Sequence, residues 1–280
     1  MLNVIKAIAF GIMEGITEWI PISSTAHMKI LNRILPLDVS PEFYAVFEVV
    51  IQLGAILALL LIFWNKVWPF GKTINPLGDK GILKYCKKDK FILWIKIAIA
   101  CIPVIIYELV FADIVNFVNE KNEMTIIAIS LIVVGIIFIL IELYISKRPP
   151  IINSTRDISF LSAFIVGLCQ LVAAVFPGVS RSGSTIIALL LLGVSRLVAT
   201  EFTFELAIPV MFGASLMKII KFKGAMSLFE LSTLGVGMIV AFFVSLFMIK
   251  FILDYIKKHN FNLFGIYRIL LGIVIILLIK

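Results

Sequence analysis

Charged residues are scarce in this chain, and their scarcity argues against a soluble fold. Asp, Glu, Lys and Arg make up 15% of the 280 residues, whereas a soluble domain usually carries about a quarter. Hydrophobic residues make up 61%, and the mean hydropathy is +1.12. Apolar runs long enough to cross the roughly 30 Å hydrocarbon core of a bilayer recur along the sequence. The composition therefore predicts an all-α polytopic membrane protein.

Cysteine and histidine are also few, which excludes several kinds of site. Cys86, Cys101 and Cys169 are odd in number and show no CxxC spacing, so neither a disulfide framework nor a thiolate metal site is expected. The polar segment described below offers one histidine, His27, and zinc therefore lacks its usual ligands there. The sequence contains no GxxxxGK run, so a nucleotide-binding P-loop is not indicated.

The formal net charge of +8 is better explained by membrane topology than by nucleic-acid binding. Lysine and arginine are concentrated in the short loops 65–90, 146–158 and 250–262, whereas loop 112–124 carries only Lys121. Positively charged loops tend to stay in the cytoplasm. Placing the three rich loops there gives a consistent topology if two proline-broken segments each enter and leave the membrane on one side.

Hydrophobic runs predict six full membrane spans and two shorter broken segments. The spans are expected over residues 42–64, 91–111, 125–145, 202–220, 230–250 and 263–279. Each broken segment is a helix that ends near a proline, followed by a short helix that runs back. The first segment comprises helices over residues 2–20 and 24–35, and the second comprises helices over residues 159–176 and 182–195. Because the returning helices are too short or too polar to cross alone, we expect re-entrant helix–loop–helix segments over about 2–35 and 159–195.

The two broken segments share a spacing that indicates an internal repeat. Four positions recur at the same intervals in each segment, namely Gly11, Glu14, Glu18 and Pro21 in the first and Gly167, Gln170, Ala174 and Pro177 in the second. On this alignment Ser24 corresponds to Ser180. Because the loop charges give the halves 1–145 and 146–280 opposite orientations, we expect an inverted-topology repeat within one integral membrane domain. In such folds broken helices meet near the middle of the membrane and build a polar site.

Glu14 and Glu18 are candidate ligands for a divalent cation. Residues four apart share a helix face, with Cβ atoms about 6 Å apart, and two carboxylates at low dielectric ionise together only if a cation lies between them. Mg²⁺ or Ca²⁺ suits such oxygen ligands. The alternative is a carboxyl pair that shares a proton, or one carboxyl bonded to backbone. Glu48 and Gln52, in an otherwise apolar span, could support this site or simply join helices.

Hydroxyl groups follow the first helix break at Pro21. Ser23, Ser24 and Thr25 suit the N-cap of the next helix, where unpaired N–H groups attract phosphate. Ser24 or Ser23 could act as a nucleophile with His27 as its base. His27 could instead accept the phosphoryl group or protonate the leaving oxygen. The alternative is that the hydroxyls only cap the helix and His27 only packs.

The second helix break is followed by a run that could bind phosphate. The run combines four hydroxyls, one guanidinium and one glycine, and comprises Ser180, Arg181, Ser182, Gly183, Ser184 and Thr185. Arginine binds phosphate oxygens in a bidentate manner and stays charged, while Gly183 permits close backbone approach at a helix start. The alternative is that Arg181 only pairs with Glu14 or Glu18, which would still bring the two halves together.

These motifs resemble those of the undecaprenyl-diphosphatase family, the bacitracin-resistance type of bacterial membrane phosphatase. The resemblance is carried by Glu14–Glu18, Pro21–His27 and Pro177–Thr185, with further similarity at Phe47–Gly54 and Phe204–Pro209. Length and motif order agree along essentially the whole chain. One position departs from the family pattern, since Ala26 stands where the family usually has glycine.

The resemblance implies hydrolysis of undecaprenyl diphosphate to undecaprenyl phosphate and inorganic phosphate, on the extracytoplasmic side of the bacterial plasma membrane. That reaction recycles the lipid carrier for cell-wall synthesis and favours bacitracin resistance. In this interpretation Ser24, His27, Glu18 and Arg181 are catalytic, and Glu14 and Glu18 hold the cation. The expected partners are the polyprenyl diphosphate and membrane lipid, without nucleic acid, and a homodimer is compatible with the sequence. The competing hypothesis is an ion-coupled transporter or lipid-phosphate flippase that uses the same polar site without hydrolysis.

Overall fold

A computed structural model describes residues 2–112 and 122–279 of the chain. Within these ranges the chain forms eleven α-helices: α1 (Leu2–Thr17), α2 (Ser24–Ile34), α3 (Pro41–Val50), α4 (Gln52–Val67), α5 (Lys88–Val110), α6 (Glu123–Ile145), α7 (Phe160–Val175), α8 (Arg181–Leu191), α9 (Arg196–Lys221), α10 (Leu228–Ile256) and α11 (Asn262–Ile279). Lys121, which entered the topology argument, lies outside the described residues.

Among the residues that the structure describes, six helical stretches are long and apolar enough to cross a membrane, as the sequence predicted. They are Pro41–Val67, Lys88–Val110, Glu123–Ile145, Arg196–Lys221, Leu228–Ile256 and Asn262–Ile279, with mean hydropathies between 1.5 and 3.1. The first of them joins α3 to α4 through a single non-helical residue, Ile51. The all-helical, multi-pass membrane architecture is therefore confirmed.

One span begins earlier than its hydropathy indicated. Helix α9 starts at Arg196 instead of residue 202, because the Arg196 guanidinium pairs with the carboxylate of Glu142, whose side chain is almost fully buried. Upstream, α8 stops at Leu191 instead of residue 195, since Gly193 adopts a positive φ of 80° that turns the chain. Both differences come from contacts and turns, which hydropathy does not register.

The second broken helix ends at Val175, close to the predicted residue 176, whereas the first ends at Thr17, three residues before the predicted residue 20. Helix α1 stops at Thr17, and the chain turns before Ser23 caps α2, whereas Ser180 caps α8. Both caps have a positive φ, 75° and 73° respectively, which is uncommon for a residue other than glycine. Ser23 and not Ser24 is therefore the counterpart of Ser180, because the stretch from the proline to the cap is longer by one residue in the second segment, which contains Gly178 at a φ of 91°.

Small residues let the helices of the two halves approach closely. A Cβ atom added to Gly11 of α1 would lie 2.6 Å from the carbonyl oxygen of Gly237 in α10, and one added to Gly167 of α7 would lie 2.5 Å from that of Ala100 in α5. Such close packing is typical of membrane helices.

The helix contacts between the halves are also reciprocal. α1 packs on α10, α7 packs on α5, and α6 packs on α11, so corresponding elements of the two halves exchange equivalent partners. An inverted repeat would produce this pairing. The inverted topology, the re-entrant path and the division at residues 145 and 146 remain predictions.

Candidate active site

The two broken segments meet around a cavity of about 210 Å³. The first half lines it with Thr17, Glu18, Ser23, Ser24, Thr25 and Gln52, and the second half with Gln170, Ser180, Arg181 and Ser182 among its polar residues. Eight of the fourteen site residues expected from the sequence thus line one cavity: Glu18, Ser23, Ser24, Thr25, Gln52, Ser180, Arg181 and Ser182.

Arg181 joins the halves through an ion pair with Glu18. Its Nη2 donates to Glu18 Oε1 at 2.6 Å, and its Nη1 donates to the carbonyl oxygen of Thr203 at 3.2 Å. Both partners are largely shielded, with side-chain exposures of 15% and 9%. Of the two glutamates that the sequence offered to Arg181, the structure pairs it with Glu18.

Ser24 is held by the other oxygen of the same carboxylate. Its Oγ donates to Glu18 Oε2 at 2.6 Å. A hydroxyl hydrogen-bonded to a carboxylate is the arrangement of a nucleophile beside its general base, and the separation lies within the range that proton transfer requires. Glu18 therefore connects Ser24 to Arg181, with one oxygen facing each.

The capping serines direct two helix starts at the cavity. Ser23 Oγ accepts from the N–H of Ala26, and Ser180 Oγ accepts from the N–H of Gly183. Because α2 and α8 both begin at cavity-lining residues, the positive ends of both helix dipoles face the same space. An anion in the cavity would be attracted by both helix starts as well as by Arg181.

His27 lies outside the cavity lining, in contrast to its expected role as the base for Ser24. Its Nδ1 is bonded to the Ser23 carbonyl oxygen and its Nε2 to the Tyr267 hydroxyl, each at 2.7 Å. The imidazole also lies parallel to the Tyr267 ring, with centroids 5.7 Å apart. Both ring nitrogens are thus occupied, and the group beside Ser24 is Glu18. The cause is a tertiary contact, since α11 supplies Tyr267.

Glu14 is fully buried, and both of its carboxylate oxygens lack a hydrogen-bond partner in the part of the chain that the structure describes. Unpartnered carboxylate oxygens fit the hard-ligand chemistry of Mg²⁺ or Ca²⁺. Glu18, the second expected ligand, already contacts Arg181 and Ser24. Among the described residues no group of three or more His, Cys, Asp or Glu is placed to hold a metal. Binding of a divalent cation thus remains a prediction, and Glu14 is the described residue that best fits the role of its ligand.

Glu48 and Gln52 lie in different surroundings. Gln52 lines the cavity. Glu48 is outside that lining, and its Oε2 forms an ion pair at 3.4 Å with Lys29, which also pairs with Glu123 at 3.2 Å. A supporting role thus fits Gln52 by position, whereas Glu48 links α3 to α2 and α6.

The end of the second polar run lies behind the cavity. The hydroxyls of Ser184 and Thr185 each donate to the carbonyl oxygen of Arg181 at 3.0 Å, and Thr185 also contacts the Thr203 hydroxyl at 3.0 Å. Together with Gly183 these residues form the first turn of α8 and stay out of the lining. Phosphate contact, which the sequence suggested for all three, is therefore not supported here. Their visible function is to fix the helix that carries Arg181.

Arg268 is a site component that the sequence analysis did not identify. Its guanidinium is fully buried; Nη1 donates to the Pro21 carbonyl at 3.0 Å, and Nη2 donates to those of Gly178 and Val179 at 2.8 and 2.9 Å. One side chain of α11 therefore holds both loops. The available signal was an arginine inside the apolar run of a membrane span, a residue type that usually has a function there.

Comparison with known proteins identifies the family of the chain. Residues 7–274 match the family described as bacitracin resistance protein BacA. An undecaprenyl-diphosphatase of Desulfitobacterium hafniense is 47% identical over 279 residues, covering 99% of this chain and 96% of the relative. Undecaprenyl-diphosphatase 1 of Clostridium acetobutylicum is 49% identical over 273 residues, covering 97% and 95% respectively. An undecaprenyl-diphosphatase of Enterococcus faecalis is 47% identical over 277 residues, covering 99% and 97%. The chain therefore belongs to the bacitracin resistance protein BacA family.

Proposed function

We propose that this protein is an integral membrane phosphatase that hydrolyses undecaprenyl diphosphate to undecaprenyl phosphate and inorganic phosphate. The observation that supports the proposal is the sharing of Glu18 between Ser24 and Arg181 at one cavity, because these three residues suit the roles of base, nucleophile and phosphate-binding group. The names of the relatives and their coverage of the whole chain support the same activity. Hydrolysis would recycle the lipid carrier for cell-wall synthesis and favour resistance to bacitracin.

The reaction begins with attack by Ser24 Oγ on the terminal phosphorus. The Ser24 proton passes to Glu18, the bond from the terminal phosphorus to the bridging oxygen breaks, and undecaprenyl phosphate leaves. Arg181 and the N–H groups at the starts of α2 and α8 stabilise the negative charge on the transferring group. Water then attacks the phosphoserine phosphorus, and the bond between that phosphorus and Ser24 Oγ breaks. The water oxygen and both water protons leave in the inorganic phosphate, and Glu18 returns its proton to Ser24. A phosphohistidine on His27 and direct attack by water are the competing routes.

A divalent cation fits this scheme at Glu14, with Glu18 as its second expected ligand. When bound, it supplies positive charge that offsets the charge of the diphosphate. Glu14 is the better indicated of the two ligands, because neither of its oxygens is otherwise bonded within the described chain.

The remaining lining suits the lipid tail. Val104, Ala173, Val210 and Ala214 form an apolar part of the cavity wall, and isoprenoid methyl groups are favoured against such surfaces over water. The polar end then receives the terminal phosphate, and the apolar wall receives the first isoprene units. We place this site on the extracytoplasmic side of the bacterial plasma membrane, on the basis of the loop charges.

The test is phosphate release from undecaprenyl diphosphate by the detergent-purified protein. It is run with Mg²⁺, with Ca²⁺ and with a chelator, and repeated with Glu18→Gln and Arg181→Ala. We expect metal-dependent release that falls by at least about a hundredfold in both variants, the scale typical of a lost base or oxyanion contact. Well-folded protein that binds the lipid through Arg181 but releases no phosphate would instead favour the transporter or flippase.

A further inference from the structure

We propose that Gln170 binds the substrate, with its side-chain amide donating to the phosphate that carries the lipid tail. This inference rests on the proposed phosphatase function and deepens it, because it names the group that recognises the second phosphate of the diphosphate. Gln170 lines the cavity but has no role in the reaction proposed above.

Gln170 is buried and unsatisfied at the edge of the cavity. Its side chain lines the cavity although the residue is only 2% exposed, and neither its Nε2 nor its Oε1 has a hydrogen-bond partner among the described residues. Buried polar groups in proteins are nearly always hydrogen-bonded, and leaving one unpaired is destabilising. An unpaired amide in the wall of a cavity therefore indicates a ligand that forms the missing hydrogen bonds.

The position of Gln170 selects which phosphate it would contact. Helix α7 lines the cavity with Gln170, Ala173 and Ala174, so the amide stands beside the apolar wall that suits the tail. The terminal phosphate must lie at Ser24 for attack. A diphosphate ester that reaches from Ser24 to the apolar wall brings its tail-bearing phosphate to the boundary between the two, where Gln170 lies.

The chemistry of the amide favours a phosphate over a cation. The two Nε2 hydrogens of Gln170 are donors, and the non-bridging phosphate oxygens are acceptors. In the repeat, Gln170 occupies the position of Glu14. The first half thus provides a carboxylate, which suits a cation, and the second half provides a neutral donor, which suits an anion. A carboxylate at position 170 would repel the phosphate.

The experiment compares Gln170→Leu and Gln170→Glu, which keep the size of the side chain, with Leu168→Ala as the matched control. Leu168 lies on α7 with 44% of its surface exposed and is not part of the lining. Steady-state turnover of undecaprenyl diphosphate is measured for each protein, together with thermal unfolding in the same detergent. Binding of a non-hydrolysable polyprenyl methylene-diphosphonate and of inorganic phosphate is measured in a Ser24→Ala background.

We expect Gln170→Leu to weaken binding of the diphosphonate by about tenfold to a hundredfold, the scale of one hydrogen bond to a charged group. Binding of inorganic phosphate should change by less than about threefold, because it has no tail-bearing phosphate and occupies the Ser24 end. Gln170→Glu should weaken diphosphonate binding further, and Leu168→Ala should match the unmodified protein in both assays.

Three results would overturn the inference. Equal losses for the diphosphonate and inorganic phosphate would place the amide elsewhere in the site. Retained or stronger metal-dependent activity in Gln170→Glu would assign the position to a cation. Unchanged binding in Gln170→Leu would remove any role in recognition. In each case phosphate release by the unmodified protein shows that the phosphatase function itself stands, whereas absence of release would refute that function first.

Discussion

Replacing Arg268 with methionine would remove a side chain that holds both active-site loops. Methionine keeps the approximate length and apolar stem of arginine but cannot donate. The carbonyl oxygens of Pro21, Gly178 and Val179 would each lose a guanidinium donor. Because all three hydrogen bonds are buried, water would not readily replace that donor.

The size of the effect follows from the balance between these bonds and burial of the charge. Hydrogen bonds to a charged group are worth about 1.5–3 kcal/mol each, so three of them amount to roughly 5–9 kcal/mol before offsets. Removing a buried guanidinium also removes its desolvation cost. We therefore expect a net loss in the free energy of unfolding of about 3–5 kcal/mol, the range for breaking buried charged contacts.

Activity should fall by more than stability alone explains. Pro21 precedes the Ser23 cap, and Gly178 and Val179 precede the Ser180 cap, so looser loops misplace both Ser24 and Arg181. A displacement of about 1 Å at a reacting group can lower turnover by about a hundredfold.

The assay is thermal unfolding in detergent together with phosphate release per folded molecule, for Arg268→Met and Arg268→Lys. Arg33→Met, a change at an exposed arginine of α2, serves as the control. Lysine should recover only part of the loss, because an ammonium lacks the planar fork of the guanidinium. Arg268→Met with the unfolding temperature and turnover of the unmodified protein would refute the reasoning.

Three further changes have expected outcomes of their own. Tyr267→Phe removes the hydroxyl bonded to His27 Nε2 but keeps the stacked ring, so turnover should fall several-fold at nearly unchanged stability. Arg196→Met leaves the buried Glu142 carboxylate without its ion-pair partner and should lower the free energy of unfolding by about 3 kcal/mol, with turnover per folded molecule preserved. Gly54→Val would bring a Cβ within 2.1 Å of a backbone oxygen in α10 and should abolish the yield of folded protein.

Each of these outcomes has a contrary result. A Tyr267→Phe protein that loses stability as much as activity would show that the hydroxyl acts only in folding. An Arg196→Met protein with normal stability but no turnover would show that the ion pair is required for catalysis and not for stability. A normal yield of Gly54→Val would mean that α4 and α10 are farther apart than described. Size-exclusion profiles and unfolding curves in one detergent provide the measurements.

The features predicted well from sequence were those that local pattern determines. Lengths of apolar runs predicted the six spans, because a helix must be long enough to cross the hydrocarbon core. Prolines at positions 21 and 177 predicted where the broken helices stop. Arg181 and Glu18 predicted a polar centre, because charged side chains are energetically unfavourable inside a membrane. Phosphate binding and an ion pair with a glutamate were the two interpretations of Arg181, and the structure shows the ion pair with Glu18.

The features missed depend on residues that are distant in the chain. His27 is an attractive base for Ser24 by spacing, but its ring is bound by Tyr267, 240 positions away. Arg268 reaches Pro21 across 247 positions. Helical periodicity predicts which face of a helix a residue occupies. It does not predict which other helix will pack against that face. One sequence therefore gave no means to place α11 against the two loops.

Phosphate release from undecaprenyl diphosphate by the unmodified protein and by Ser24→Ala tests the central claim most directly. Both proteins are purified in one detergent, checked for matching unfolding temperatures and supplied with Mg²⁺ or Ca²⁺. The account predicts one inorganic phosphate per lipid from the unmodified protein, and lipid binding without release from Ser24→Ala. Equal release by both proteins would contradict the serine route, and no release by a well-folded unmodified protein would contradict the phosphatase itself.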